Sequence, residues 1–444
     1  MRILHWFRKD LRLDDNTALD AAARDAGGNV VPFYSSEPSI LSRPDIAPIR
    51  VQFVLDALAD LDKACRRAGS RLALAHGEAV DTVPAAARAA GADAVSWNDE
   101  YEPALIARDA AVEQALRAAG IGVRRSQDRL LVPPDVVMTR EGKPYSVYSA
   151  FRRACEALPL PVPSPLAAVT RLAAHDLPER RIATVAELGF AAPPAQAAAL
   201  WPGGATAGRK RLEHFLEHAL ARYATERDFP AAGAHSRLSA DLKFGTLGVR
   251  RIAHAVLGTG RSASTDKYVA ELRWRDFYAQ VLFHHPHVEH GAFRREFDAI
   301  PWEGTEEWFQ AWCAGRTGYP IVDAGMRELA ATGFMHNRVR MIVASFLAKD
   351  LLTNWQRGER WFMQHLVDGD VANNNGGWQW AAGTGTDAQP YFRIFNPALQ
   401  RARFDPVGAY VGRWSPPPDA AEIVVHEEMR ARALAMYASH PLTS

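Results

Sequence analysis

At 444 residues, 48% hydrophobic and 23% charged, the chain has the make-up of a water-soluble globular protein, which excludes a collagen-like, low-complexity or largely disordered one. Lys and Arg total 52 against 51 Asp and Glu, so a globally basic nucleic-acid coat is excluded while a local basic patch is not. Cys65, Cys155 and Cys313 are widely spaced and odd in number; they make neither a disulfide framework nor a thiolate metal site and fit a reducing cytoplasm.

At about 150 residues per domain the length predicts two or three domains. Arg8, Lys9, Asp10 and Arg12 interrupt the first apolar stretch and leave no signal-peptide core. The best candidate for a membrane span, Met341 to Leu352, is short and holds Lys349 and Asp350.

The first third alternates strand and helix. Short apolar runs at Arg2 to Phe7, Val30 to Tyr34, Leu72 to Ala75, Ala94 to Trp97 and Gly122 to Arg124 predict strands. Val51, Val54, Leu55, Leu58, Leu61 and Cys65 repeat at helical spacing. The pattern predicts an α/β, Rossmann-like domain over 1–129, with a parallel sheet covered on both faces. No glycine-rich phosphate cradle follows any of these strands, so ordinary NAD or P-loop binding is not expected. Pro133, Pro134, Pro159, Pro161, Pro163, Pro165, Pro193 and Pro194 then predict a long interdomain linker over 130–204 that crosses the surface. From 205 to 444 the spacing is helical, and ten of the 12 tryptophans fall between Trp201 and Trp414. Aromatic core is the plain reading of any one of them.

Four segments carry candidate chemistry. Tyr223 followed by His235-Ser236-Arg237-Leu238-Ser239 offers hydroxyls and N–H groups before a helix, which suits a diphosphate, although a serine there also reads as an N-cap. Glu271, Trp274, Arg275 and Tyr278 share one helix face, joining an acceptor, a stacking surface and a cation; a surface Glu–Arg pair beside a half-buried Trp is the rival reading. Asn337 and Met341 lie one turn apart, whereas Arg338 and Arg340 point to different sides. Asp368-Gly369-Asp370 and Asn373-Asn374-Asn375-Gly376-Gly377 are costly in an ordinary helix and suggest a close fit to a polar heteroaromatic. Trp378 and Trp380, two positions apart, face opposite ways. His284, His285, His287 and His290 resemble a metal cluster, but Pro286 breaks the register and no metal is expected.

The run from WFRKDLRLDDN at Trp6 to FRIFNP at Phe392, with SRLS, ELRWRDFY, TGYPIVDAGMREL, MHNRVRM, DGD and NNGGWQWAAGTGTD in one order, resembles the photolyase/cryptochrome family. Met341 makes the chain most similar to photolyases of cyclobutane pyrimidine dimers. Six-four photolyases usually carry a second histidine where this chain has Asn337, and DASH-type cryptochromes differ here too. The resemblance implies an α/β antenna domain, an all-α domain holding bent FAD, and a carbon–carbon lyase that repairs UV-damaged DNA. It also implies a monomer at the nucleoid of a bacterial cytoplasm, with no membrane association.

Carried onto this sequence, FAD would contact Tyr223, Ser236, Arg237, Leu238, Ser239, Glu271, Arg275, Arg340, Asp368, Asp370 and Asn374, with Asn374 at N5; His235 stands where the family often has threonine. The lesion would stack on Trp274 and Trp380, pack on Met341 and hydrogen-bond to Glu271 and Asn337. Arg227, Arg338 and Arg393 would take phosphates, and Trp378, Trp355 and Trp302 match the family's electron relay. Arg50, Glu100, Glu102 and Lys243 resemble a pocket for an 8-hydroxy-5-deazaflavin antenna, with FMN or methenyltetrahydrofolate as alternatives; surface ion pairs are the competing reading. A cryptochrome-type light receptor and a six-four photolyase are the rival functions. The end of the chain at Ser444, soon after Ser415-Pro416-Pro417-Pro418, is read as against signalling.

Overall fold

The structure is a computed structural model that describes residues 1–165, 169–414 and 421–439; the Ser415–Pro418 run lies outside them. The N-terminal region alternates β1 (Ile3–Phe7), α1 (Thr17–Asp25), β2 (Val30–Ser36), α2 (Pro48–Arg67), β3 (Ala73–His76), α3 (Ala79–Ala89), β4 (Ala94–Asn98), α4 (Pro103–Ala118) and β5 (Gly122–Ser126). The strands form one sheet in the order β3-β2-β1-β4-β5, every pairing parallel. Alternation along β1 explains the layers. Ile3 and Phe7 pack with Leu19, Phe53 and Leu61 of α1 and α2, whereas Leu4 and Trp6 pack with Val83, Val112 and Leu116 of α3 and α4. Burial on both faces is why these strands read as continuous apolar runs.

The stretch 130–204 departs from the expected surface linker. Leu130, Leu131, Val132, Tyr148, Phe151 and Cys155 join the core of the helical half, and Leu172 and Trp201 join that of the sheet domain. Two helices form within it, α5 (Tyr148–Glu156) and α6 (Ala195–Leu200). Proline density marked the breaks between ordered pieces, not an absence of packing.

The helical half is built around α7 (Ala205–His218), α8 (Val249–Gly258), α9 (Ala263–His284), α10 (Pro320–Thr332), α11 (Asn337–Ser345), α12 (Trp355–His365), α13 (Val371–Ala382) and α14 (His426–Ala438). Among the described residues no helix is long and apolar enough to cross a membrane.

The Arg8–Asn16 segment, leaving the carboxyl end of β1, is where a Rossmann-like sheet usually meets a ligand. Here it meets the other domain. Asn98 Nδ2 donates to Asp10 Oδ2 at 2.6 Å and to Asn16 Oδ1 at 2.7 Å. The Leu11 N–H donates to the Phe244 carbonyl at 3.1 Å. Gly245 sits at φ +61°, where a Cβ would collide with the Lys9 carbonyl. Arg12 and Arg250 close on opposite oxygens of Asp128, at 2.6 and 2.7 Å, and Arg250 also reaches Asp15 at 3.0 Å. All four side chains are buried. Burial pushes the Asp128 carboxyl upward, but Arg12 and Arg250 outweigh it and hold it well below the usual carboxylate range.

Asp128→Ala leaves two buried guanidiniums without this partner and should destabilise the fold by about 3–5 kcal/mol, read by denaturant or thermal melting. Because the Asp128 value is depressed on folding, its contribution is present above the ordinary carboxylate pKa of about 3.9 and is lost as pH falls below it. Asp128→Asn should therefore flatten the acid limb of the stability curve; an acid limb equal to the parent's would exclude the assignment.

Candidate active site

The site lies where α9, α11 and α13 meet, and glycine permits the approach. A Cβ at Gly376 on α13 would overlap the Tyr278 ring of α9. One residue on, a Cβ at Gly377 would meet nothing within 4 Å, although its neighbour Trp378 is buried. Gly377 is exposed, so this helix is solvent-accessible at that point. Ser236, Ser239, Trp274, Arg340, Met341, Asn374 and Trp380 are all half-buried. Exposed Gly377 beside these partly exposed polar and aromatic side chains suits a flat, polar heteroaromatic group.

On α9, Glu271 is paired with Arg227 and lies 3.6 Å from Lys267 Nζ. Trp274 is stacked on Tyr148, with ring centroids 3.6 Å apart and planes 13° apart. Arg275, expected to face the cofactor beside them, instead donates to the carbonyls of Arg129 at 2.6 Å and Leu242 at 3.2 Å. Its guanidinium supports the domain seam.

On α11, Asn337 is exposed, and its Nδ2 lies 4.0 Å from Met341 Sδ, so the amide and thioether share a face as their spacing predicts. His336 caps this helix, with Nδ1 accepting from the Arg338 N–H at 3.2 Å, which requires a ring unprotonated at that nitrogen. Burial, assisted by Arg338 and Arg340, lowers its pKa to about 3 and keeps that acceptor in place. Arg338 and Arg340 diverge, the first to Asp228 at 3.0 Å and the second to Asp368 at 2.9 Å.

Asp370 caps α13, accepting from the Asn373 N–H at 3.1 Å through Oδ1. Its Oδ2 accepts from Tyr101 Oη at 2.8 Å and Lys243 Nζ at 3.0 Å. The carboxylate expected to touch FAD is therefore occupied by the helix end and the N-terminal domain. Asn374 Nδ2 donates to the Glu359 carbonyl at 2.9 Å, leaving its Oδ1 available. Glu359 itself accepts from Asn375 Nδ2 at 3.0 Å, and burial raises its carboxyl to about 8. Trp378 turns into the core against Phe362 and Trp312, while Trp380 stays half-buried, so the two face differently as expected.

The remaining candidates distribute as follows. Tyr223 is buried, edge-on to Tyr268, whose hydroxyl lies 3.0 Å from Ser236 Oγ. Arg237 adopts φ +54° and Leu238 is buried. Trp355 is buried and Trp302 half-buried against the same core cluster as Trp378. Arg393 is exposed, and its carbonyl accepts from the buried Lys349 Nζ at 2.9 Å. His284 Nε2 lies 2.8 Å from the Pro134 carbonyl, and His285 and His287 pack against Phe293.

The antenna candidates are not surface pairs. Glu100 pairs with Arg129, while Glu102 joins Lys9 at 2.5 Å and Lys243 at 3.0 Å, all at the seam. Burial lowers the Lys9 ammonium to about 7 despite Glu100 and Glu102. Arg50 is buried on α2, donating to the carbonyls of Leu366 and Met363.

Sequence reasoning missed Tyr148, Tyr101, Glu359 and Lys349. Tyr148 lay in the supposed linker. The aromatic at Tyr148 and the apolar positions Phe151 and Cys155, spaced i, i+3 and i+7, were the available signal of a buried helix face.

A family model described as DNA photolyase matches residues 3–167, and one described as the FAD-binding domain of DNA photolyase matches residues 268–439. The deoxyribodipyrimidine photo-lyase of Synechococcus is 43% identical, the match covering 93% of this chain and 87% of that protein. The crystal structure of a class III photolyase from Agrobacterium tumefaciens superposes with a TM-score of 0.90 at 39% identity, covering 99% of this chain and 97% of that one. An archaeal photolyase from Sulfolobus tokodaii, solved with two FAD molecules, gives a TM-score of 0.86 at 32% identity, covering 99% and 100%. With the parallel sheet and the helical half in place, these matches assign the chain to the DNA photolyase family, with that family's FAD-binding domain in its helical half.

Proposed function

We propose that this protein uses light to split cyclobutane pyrimidine dimers in DNA, with the extruded dinucleotide stacked between Trp274 and Trp380. The observation that carries the reading is the mouth of the site. Trp274, Asn337, Met341 and Trp380 all reach the surface from helices whose other faces are buried, and the Synechococcus relative is named for this reaction.

A dimer is already poorly stacked and paired, so extruding it costs less than extruding a normal base. Aromatic walls then select it by shape and stacking. Met341 supplies an adaptable apolar contact. Asn337 offers both amide donor and acceptor to the pyrimidine edges, and Glu271, fixed through Oε1 by Arg227, offers Oε2. Arg227, Arg338 and Arg393 would take phosphates, which orients the strand without reading its sequence. Tyr223, Ser236, Arg237, Leu238, Ser239, Arg340, Asp368 and Asn374 would hold FAD, while Arg275 and Asp370 brace its walls. Reduced FAD held there would supply light-driven one-electron chemistry with no net redox change over the reaction. The protein's share is binding and orientation, and no general acid–base pair is required.

Trp378, Trp355 and Trp302 run from buried to half-exposed and are proposed as the route by which an oxidised cofactor is recharged from the surface. For a second, light-collecting chromophore we favour 8-hydroxy-5-deazaflavin over FMN or methenyltetrahydrofolate. The support is the buried charge around Glu100, Glu102 and Lys243, whose ammonium can pair with an ionised ring once its carboxylate bonds are exchanged. Arg50 frames that region through its backbone contacts.

Three outcomes are expected. Photoreduced protein illuminated with dimer-containing oligothymidylate should restore the thymine absorbance; no recovery would remove the repair reading. Trp378→Phe should slow photoreduction of the flavin at least tenfold while pre-reduced enzyme still repairs, so unchanged photoreduction would refute the relay. Acid extraction of protein made in a deazaflavin-producing host should release deazaflavin beside FAD; release of FAD alone would reject the antenna assignment.

A further inference from the structure

The segment Tyr145–Tyr148 touches both walls of the proposed lesion slot. Toward α9, the Tyr145 carbonyl accepts from Gln280 Nε2 at 3.2 Å and the Tyr148 hydroxyl donates to the Ala270 carbonyl at 2.5 Å. The Tyr148 ring lies flat against Trp274, and Phe277 meets both rings edge-on. Toward the loop that follows α13, the helix carrying Trp380, Thr386 Oγ1 donates to the Ser146 carbonyl at 2.5 Å. The Tyr148 N–H donates to Asp387 Oδ2 at 3.0 Å, so Asp387 satisfies an amide at the start of α5. Asp387 holds φ +44°, a left-handed conformation that is unfavourable for a non-glycine residue and persists only where its surroundings impose it.

We propose that Tyr148 is a positioning residue for the lesion: it backs the Trp274 indole and, through Asp387, ties that indole to the wall bearing Trp380, fixing the width of the slot. An indole stacked on one side has one face left for a pyrimidine, and its rotamer is set before DNA arrives. Preorganisation of this kind raises affinity by removing the cost of ordering the side chain on binding. The inference rests on the dimer-repair reading of the same site.

The test compares holoenzymes in the dark, titrated with dimer-containing and undamaged oligothymidylate, with flavin content measured in parallel. Tyr148→Leu should weaken dimer binding about five- to tenfold, as loss of an aromatic stack predicts. Its flavin content and its affinity for undamaged strand should remain within twofold of the parent's. Tyr148→Phe, which keeps the ring, should restore most of the dimer preference. Asp387→Ala, at an exposed position, should lower dimer binding two- to threefold in the same direction. A Tyr148→Leu protein that discriminates as the parent does, or that loses both oligonucleotides equally, overturns the proposal. So does loss of flavin from Tyr148→Leu accompanied by a parent-like Asp387→Ala. A parent with no dimer preference overturns the repair reading and this proposal with it, whereas a discriminating parent matched by its variants overturns this proposal alone.

Discussion

The buried charge at the domain seam is the constraint on which the rest of the molecule depends. Desolvating an arginine or an aspartate costs several kcal/mol unless partners with good geometry replace the water. Asp128 meets Arg12 and Arg250, and Lys243 meets Glu102 and Asp370, so each charge has a partner. Both clusters draw partners from the two halves of the chain. At the carboxyl end of β1, where other α/β proteins often meet a ligand, these contacts hold the two domains together.

Asp370 carries that constraint into the site. One carboxylate oxygen caps α13, and the other takes a hydroxyl from Tyr101 and an ammonium from Lys243. The helix that bears Asn374, Trp378 and Trp380 is therefore fixed at its start by the sheet domain. Two residues of spacing along that helix then separate two tasks. Trp378 is sealed among Phe362 and Trp312, while Trp380 stands at the mouth. A single element supplies both a buried aromatic and a surface one because 3.6 residues per turn places i and i+2 on opposing sides.

Much of this was legible in the chain. The five strands lie within about two residues of their expected ends, because apolar runs bounded by charge leave little freedom in a sheet buried on both faces. Asn337 and Met341, like Trp378 and Trp380, obeyed helical spacing. Spacing was silent about partners distant in sequence. Arg275 shares a helix with Glu271, yet its guanidinium is captured by carbonyls of Arg129 and Leu242. Glu102 and Lys243 look like any exposed pair until the seam closes over them. The proline-rich stretch was misread because prolines show where a helix cannot run and say nothing of whether Leu131 or Phe151 is buried.

The shared cap at Asp370 also bears on how such a protein can be recombined. A chimera taking its sheet domain from one relative and its helices from another would bring together seam surfaces selected separately. A mismatch at Tyr101 or Glu102 would be felt at the first turn of α13, through Asp370. The two halves are in this sense inherited as one part, and an exchange that respects the fold must carry both banks of the charge network across together.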